Sequence, residues 1–357
     1  MYSIGDKIRV TIFGQSHAEA IGAVIDGLPA GIKLDTDKIT AFMQRRRPGQ
    51  NKYQTARGET DIPEIISGLC DGKTCGAPVC AVIKNSDTKS GDYDNLKNVP
   101  RPGHADFAAY MKYGGSNDIR GGGQFSGRMT APLCFAGAVC MQILEEKGIK
   151  IGAHIAEIHG VRDELFDAAG ISAEQLENVA KKEFPVISDA SGEKMKAEIE
   201  AARKDGDSVG GVVECAVTGV KPGVGGALFE GIEGEMAKAI FGIPAVKGIE
   251  FGAGFSAAKM LGSENNDEFY FDGDTVKTRT NNHGGILGGI SSGMPIIFRT
   301  AFKPTPSIAK KQNSVNLKTG VSEELVIKGR HDPCVVQRAV PCVEAAAAIV
   351  ILNLLGA

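Results

Sequence analysis

Four histidines, His17, His104, His283 and His331, fall in polar stretches rich in glycine or proline, and Asp332 directly follows the last of them. Histidine titrates near neutral pH and aspartate is ionised there, so together such groups can give and take protons. Any one of these histidines is adequately explained by a structural hydrogen bond. Arginines recur beside glycine or proline in the same kind of setting, at Arg46, Arg101, Arg120, Arg128 and Arg330. Their planar guanidinium groups suit phosphate and carboxylate oxygens. From Arg279 to Ser307 the chain is first glycine-rich and then apolar, ending in Lys303, Thr305 and Ser307. That pattern predicts a loop whose N–H groups can approach an anion, followed by a buried strand. The glycine run Gly121–Gly123 ahead of an apolar helical segment predicts a second anion site at a helix N-terminus.

The elements that must position these groups can be read from periodicity. Alternation predicts strands over 7–13, 21–26, 78–84, 149–159, 209–220 and 295–301. Helices are expected over 37–47, where Asp35 or Thr36 supplies a cap, over 106–113, over 129–147 and over 335–355. The segments 172–182 and 191–204 read as amphipathic surface helices, and 234–241 as a short one. Residues 22–31 echo 211–223, and 74–78 echo 291–295, each as a strand, a Gly/Pro turn and a further element, which suggests two related halves.

Composition narrows the function classes. With 357 residues, 42% hydrophobic and 23% charged, the chain can bury a large core. Its net charge of −3 gives no general field toward nucleic acid or membrane. The arginine run Arg45–Arg47 could by itself mark a nucleic-acid module, but no basic stripe with interleaved aromatics accompanies it. The basic loops would equally serve a phosphotransferase or phosphatase, for which a carboxylate cluster able to hold Mg²⁺ is missing from the sequence pattern. The eight cysteines form no C-x-x-C pair, and no metal site is expected. Residues 68–74 miss the phosphate-loop spacing by one and lead into a strand, so that motif is rejected. The start lacks a basic segment followed by an apolar one, and the apolar run Ala345–Leu355 is too short to span a bilayer, so a cytoplasmic protein with reduced thiols is expected.

The motifs Phe13–His17, Arg45–Gly49, Arg101–Asp106, Arg120–Gly123, Arg279–Ser307 and Gly329–Cys334, in this order over nearly the whole chain, resemble those of the chorismate synthase family. The resemblance implies a single α+β domain over 1–357, a layered β-α-β sandwich of two related halves with central antiparallel sheets and outer helices, assembled as a homotetramer. It implies a lyase that eliminates phosphate from 5-enolpyruvylshikimate 3-phosphate in a 1,4-anti sense, giving chorismate with the aid of reduced FMN. By the same resemblance His17 protonates the leaving phosphate, His104 stands near the flavin and Asp332 takes the ring proton. Flavin contacts fall on Gln124, Phe125, Ser126, Ala245, Gly288, Lys303, Pro304, Thr305, Pro306, Ser307 and Arg330. Substrate contacts fall on Ser16, Arg46, Lys52, Arg101, Arg128 and Arg330. Gln15, Ala18, Lys52, Gln124, Phe125, Pro244 and Gln337 depart from the family's commonest residues without removing a proposed acid or base. No strand is followed by G-x-G-x-x-G, so the flavin is expected to arrive reduced by an external flavin reductase, with NADPH only as the external reductant.

Overall fold

The computed structural model describes residues 2–55, 58–87, 96–327 and 331–356. Arg57, Gly329 and Arg330 lie outside the described residues. One antiparallel sheet runs β1 (Ser3–Ile4), β2 (Arg9–Gly14), β3 (Ala20–Asp26), β7 (Val79–Lys84), β4 (Glu64–Ser67). Between β4 and β7 stands a small hairpin of β5 (Leu69–Cys70) and β6 (Lys73–Thr74). Ile21, Ala23 and Ile25 on β3 are all fully buried, the period of two that sends one face of a strand to the core. A second antiparallel sheet runs β11 (Val246–Phe251), β16 (Ile296–Phe302), β10 (Gly211–Thr218), β8 (Lys150–Ile158), β9 (Val161–Arg162). Further hairpins are β12 (Phe269–Asp272) with β13 (Thr275–Thr278), β14 (Ile286–Leu287) with β15 (Ile290–Ser291), and β17 (Gln312–Asn316) with β18 (Val321–Leu325).

The helices are α1 (Thr36–Arg46), α2 (Asp106–Tyr113), α3 (Thr130–Glu146), α4 (Ala173–Ala180), α5 (Asp189–Lys204), α6 (Ile232–Ile240), α7 (Gly262–Asn265) and α8 (Val336–Leu355). Asp35 caps α1 by accepting from the amides of Asp37 and Lys38, as its position predicts. Each helix and strand expected from periodicity forms, with ends shifted by at most two residues.

The β-α-β layering and the α+β class are as expected, but the order of layers is not. α3 packs on β3 and β7, α8 on β8 and β10, and the two helices pack on each other with α1 and α6 beside them. Helices therefore form the middle layer, and the sheets flank it. Most residues of α3 and nearly all of α8 are buried, and a helix apolar all round has no face to give to water. α4 follows the outer-helix expectation, setting Leu176 and Val179 against Ala216 and Ile297 on the other face of the second sheet. By length and composition the segments Gly127–Glu146 and Val336–Leu355 could cross a membrane, yet 78% and 83% of them are buried inside the fold. They are its core helices.

Element order recurs along the chain. β2, β3, α1, β4, hairpin β5–β6, β7 and α3 are followed later by β8, β10, α6, β11, hairpin β14–β15, β16 and α8, and the sheet orders β2-β3-β7-β4 and β8-β10-β16-β11 correspond. One hydrophobic cluster runs through both sets. Buried Glu344 on α8 accepts from both terminal nitrogens of Arg45 on α1, at 2.5 and 2.9 Å, and from the Ala153 amide of β8 at 2.9 Å. One carboxylate thus ties three elements.

The closest approach of the two central helices is at Gly137. A Cβ built there would fall 2.2 Å from the Ala345 Cβ and 2.3 Å from its Cα. Three residues earlier, Cys134 meets Cys342 with sulfurs 3.8 Å apart. The two contacts advance together, so α3 and α8 run parallel and open their N-termini at the same end. Gly137→Ala would add helix propensity of about 1 kcal/mol but force the helices apart at a cost of about 1–3 kcal/mol or more. We expect a lower thermal unfolding midpoint for this variant; an unchanged or raised midpoint would show slack between α3 and α8.

Candidate active site

A cavity of about 530 Å³ opens where the first turns of α3 and α8 meet the end of α1. Its wall carries Arg46, Arg101, Arg128, Lys247, Lys303 and Arg338, opposed by the carboxylates of Glu59 and Asp332. Helix N-termini add partial positive charge at the same end. The chain as a whole is mildly acidic, so this is local concentration of cations, suited to an anionic ligand.

Arg46 and Arg128 are both buried, and both are held by Asp61. Arg46 gives Nη1 to Asp61 Oδ2 at 2.5 Å, Nε to Thr130 Oγ1 at 3.0 Å and Nη2 to the Gly127 carbonyl at 3.0 Å. Arg128 bonds the other Asp61 oxygen and gives Nε to Asn85 Oδ1 at 2.9 Å. Burial alone would raise the Asp61 carboxyl, but Arg46 and Arg128 outweigh it and hold it below the usual range. Asp61 takes φ +52°, a left-handed conformation that aspartate tolerates better than most residues.

A second buried group joins Arg101, Asp106 and His104. Asp106 accepts from Arg101 Nε at 2.7 Å and Nη2 at 2.8 Å, and its Oδ1 lies 2.5 Å from His104 Nδ1. Arg101 Nη1 also donates to Ser307 Oγ at 3.1 Å. Burial lowers the His104 pKa; Asp106 pulls it up and Arg101 and Lys303 push it down, leaving it below its ordinary 6.5. The ring is therefore neutral at pH 7, with Nδ1 facing Asp106.

The two histidines meet one glycine turn. Gly121, Gly122 and Gly123 have φ of +59°, +82° and +54° in a 3₁₀ segment spanning Arg120–Phe125. A Cβ on Gly121 would lie 2.4 Å from His17 Cε1 and Nδ1 and 2.5 Å from Ser16 Oγ, and one on Gly122 would lie 3.1 Å from His104 Nε2. The glycines are needed because the backbone passes against both rings. Buried Ser16 donates its amide to the Gly123 carbonyl at 3.2 Å. Gly121 separates Ser16 and His17 from the cavity wall proper.

At the other end, Asp332 Oδ1 accepts from the Thr55 amide at 2.9 Å, while Oδ2 accepts from Arg338. Arg338 also gives Nε to the Arg46 carbonyl at 3.0 Å. Along one side run Lys303, Thr305, Pro306 and Ser307, with Ala245 opposite at φ +74° accepting from the Lys303 amide at 3.0 Å. Lys303 donates to the Gly103 carbonyl. Burial, then Lys247, lowers its pKa. Phe125, Phe241, Ile243 and Pro306 supply apolar wall.

Of the residues expected from sequence, Arg46, Arg101, His104, Gln124, Phe125, Ser126, Arg128, Ala245, Lys303, Thr305, Pro306, Ser307 and Asp332 line this one cavity. Ser16, His17, Lys52, Gly288 and Pro304 do not. Lys52 is exposed and pairs with Glu200 at 3.0 Å. Gly288 sits in the β14–β15 turn, away from the lining. In the loop of residues 284–289 three glycines are required by backbone packing: Cβ atoms on Gly284, Gly285 and Gly289 would fall 2.4 Å from Gly252 N, 2.4 Å from Pro295 O and 2.2 Å from Gly226 O. His283 belongs to that loop, accepting from the Gly285 amide at 2.8 Å. Sequence reasoning missed Asp61, Arg338 and Lys247 as site residues. Only Arg338 carried a local signal, as a cation in the first turn of an otherwise apolar helix.

The family model for chorismate synthase matches residues 8–355. A chorismate synthase of Korarchaeum cryptofilum is 47% identical over 98% of this chain and 96% of its own length. One from Dehalococcoides mccartyi is 46% identical over 99% and 96%. A solved structure described as a crystal structure of chorismate synthase superposes with a TM-score of 0.75 at 30% identity, covering 98% of this chain and 92% of that one.

The His104 environment makes a signed prediction. Its folded pKa lies below the unfolded one, so the unfolded chain binds this proton more readily; His104 contributes stability that is complete above about pH 6.5 and lost as pH falls toward the folded pKa. NMR titration should place the ring's midpoint below 6.5, and lower again in Asp106→Asn, which removes the carboxylate that raises it. A midpoint at or above the ordinary value would mean that Asp106, and not burial, decides the ring's charge.

Proposed function

The chain belongs to the chorismate synthase family, and from that premise we propose that it converts 5-enolpyruvylshikimate 3-phosphate to chorismate and phosphate by 1,4-anti elimination with reduced FMN. In this reading it is a carbon-oxygen lyase at the last common step toward the aromatic amino acids. The observation that carries the proposal is the cavity in which six cations face two carboxylates beside a neutral histidine. The substrate's phosphate and two carboxylates need such a wall, and each charge-assisted contact contributes about 1.5–3 kcal/mol.

The residues present fit the flavin. Thr305 Oγ1 is buried without a hydrogen-bond partner, with Lys303 and Ser307 two residues to either side. A phosphate or polyol oxygen would satisfy it, since an orphaned buried hydroxyl costs about 1–3 kcal/mol. Phe125, Phe241 and Ile243 offer the apolar surface a ring system needs. When bound, reduced FMN supplies electron density to the breaking C–O bond and recovers it afterwards.

The chain's own groups then divide the work. Arg46 and Arg128, fixed by Asp61, and Arg101, fixed by Asp106, orient the anionic substrate. His17, set by the Gly121 turn, gives a proton to the leaving phosphate. Asp332, held between the Thr55 amide and Arg338, accepts the ring proton. The C–H electron pair becomes one double bond, the double bond already in the ring shifts by one place, and phosphate leaves with the C–O pair, so nothing is oxidised overall. His104, neutral and oriented by Asp106, serves the pyrimidine edge of the flavin. Arg330, Lys52 and Gly288 belong to the proposed set through the family motifs alone.

Three further readings accompany this one. The recurrent order of elements around one core supports a single domain with an internal pseudo-twofold repeat. Family membership supports a cytoplasmic enzyme that receives flavin reduced by an external reductase. Leu228, Phe229, Phe255 and Phe271, exposed at 88%, 92%, 83% and 77%, support a homotetramer, because apolar side chains this exposed mark an interaction surface. Light scattering should give four times the chain mass; a monomer would refute the assembly.

An anaerobic assay with 5-enolpyruvylshikimate 3-phosphate and reduced, oxidised or no FMN tests the reaction. Chorismate and phosphate should appear only with reduced FMN, and His17→Ala and His104→Ala should each lose about 10²–10⁴-fold in turnover. Product without flavin, or near-normal rates in both variants, would overturn the mechanism.

A further inference from the structure

Two thiols meet at the floor of the cavity. Cys134 on α3 and Cys342 on α8 are buried free thiols with sulfurs 3.8 Å apart, and Cys342 also lines the cavity. Of the other cysteines, Cys70 and Cys75 are exposed, Cys80 is half-buried, and Cys140, Cys215 and Cys334 are buried. The elimination proposed above uses neither Cys134 nor Cys342.

We propose that Cys134 and Cys342 form a two-electron redox site, which closes to a disulfide when a small peroxide enters the cavity. This inference does not depend on the elimination reaction. The geometry favours it in three ways. The sulfurs need move together by only about 2 Å to reach bonding distance. One turn further along, α3 and α8 approach to backbone contact at Gly137 and Ala345, so the two helices are close-packed where the cysteines meet. And the cavity gives Cys342, but not Cys134, a path to a small oxidant.

The two sulfurs also differ in acidity. Cys342 is lowered because Cys134 donates to it, burial opposing and Arg46, Thr130 and Arg338 assisting. Burial pushes Cys134 well above the usual thiol range. Cys342, the one of the two that the cavity reaches, is the attacking thiolate and Cys134 the resolving thiol. The Cys342 thiolate attacks one peroxide oxygen, the O–O bond breaks, and the departing hydroxide takes up a proton as water. Cys134 sulfur then displaces the sulfenic hydroxyl, which leaves as a second water with the Cys134 proton. Two thiols and one hydrogen peroxide give one disulfide and two waters.

Oxidation would be felt in the site. The Cys342 thiol donates to the Arg338 carbonyl at 3.3 Å, and Arg338 holds Asp332. A disulfide removes that donor and ties the first turns of both central helices.

The full chain, reduced and then exposed to stoichiometric hydrogen peroxide, tests the site by thiol titration in denaturant and by peptide mass mapping after alkylation. We expect two of the eight thiols to be lost, a Cys134–Cys342 cross-linked peptide lighter by two hydrogens, and full recovery with dithiothreitol. Cys342 should react at least about tenfold faster than Cys140 or Cys215. In Cys134→Ala, dimedone should trap a sulfenic acid at Cys342 with no cross-link. If that variant fails to fold, the wild-type map decides alone. Cys342 remaining alkylatable while Cys70 and Cys75 are oxidised, or reacting no faster than Cys140, would overturn the proposal.

Discussion

The cavity depends on one carboxylate. Asp61, fully buried, lies between Arg46 from the last turn of α1 and Arg128 from the turn that precedes α3. Two guanidinium groups brought this close would repel each other and lose their hydration. An ionised carboxylate between them, with Thr130, Asn85 and two carbonyls accepting further hydrogens, makes the burial tolerable. Arg46 then reaches across to α8 through its own carbonyl, which accepts from Arg338, which in turn holds Asp332. The groups proposed to bind the substrate and to take its proton are therefore links of one chain of charge-assisted bonds.

That chain works only because the scaffold brings three helix ends to one place. Parallel packing of α3 and α8, at a separation that Gly137 permits, puts both N-termini on the cavity. The dipole of each contributes about 0.3–1 kcal/mol toward an anion. The glycine turn at 121–123 does the same job by absence of side chains, letting backbone slide between His17 and His104. Catalytic groups thus rest on ends and turns, while the middles of the helices supply the core.

Much of this was legible in the sequence, and the gaps have physical reasons. Period-two alternation located β3, β8, β10 and β16, and continuous apolarity located α3 and α8, because burial demands those patterns. The same continuous apolarity marks the final helix as core or subunit interface, whereas the family resemblance implies outer helices; the packing puts α3 and α8 between the sheets. Cavity-lining residues such as His104, Arg128 and Lys303 stood out as polar groups beside glycine or proline. Asp61 did not, since an acid in a loop has no local mark of the arginines 15 and 67 residues away. Glycines misled in the other direction: those at 284–289 resemble an anion loop but are required by backbone contact with Gly252, Pro295 and Gly226. Spacing alone does not separate a glycine that admits a ligand from one that admits its own chain.

The most direct test of this account is the unfolding free energy of Asp61→Asn measured against the unaltered chain across pH. The Asp61 pKa is lowered by folding, so its contribution is present above the ordinary carboxylate value of 3.8 and vanishes as pH falls through the folded pKa. The account predicts a loss of about 3–5 kcal/mol at neutral pH, as for other broken buried ion pairs, shrinking in acid. Equal stability of the two proteins at neutral pH would contradict it, and would mean that Arg46 and Arg128 are held by their neutral partners alone.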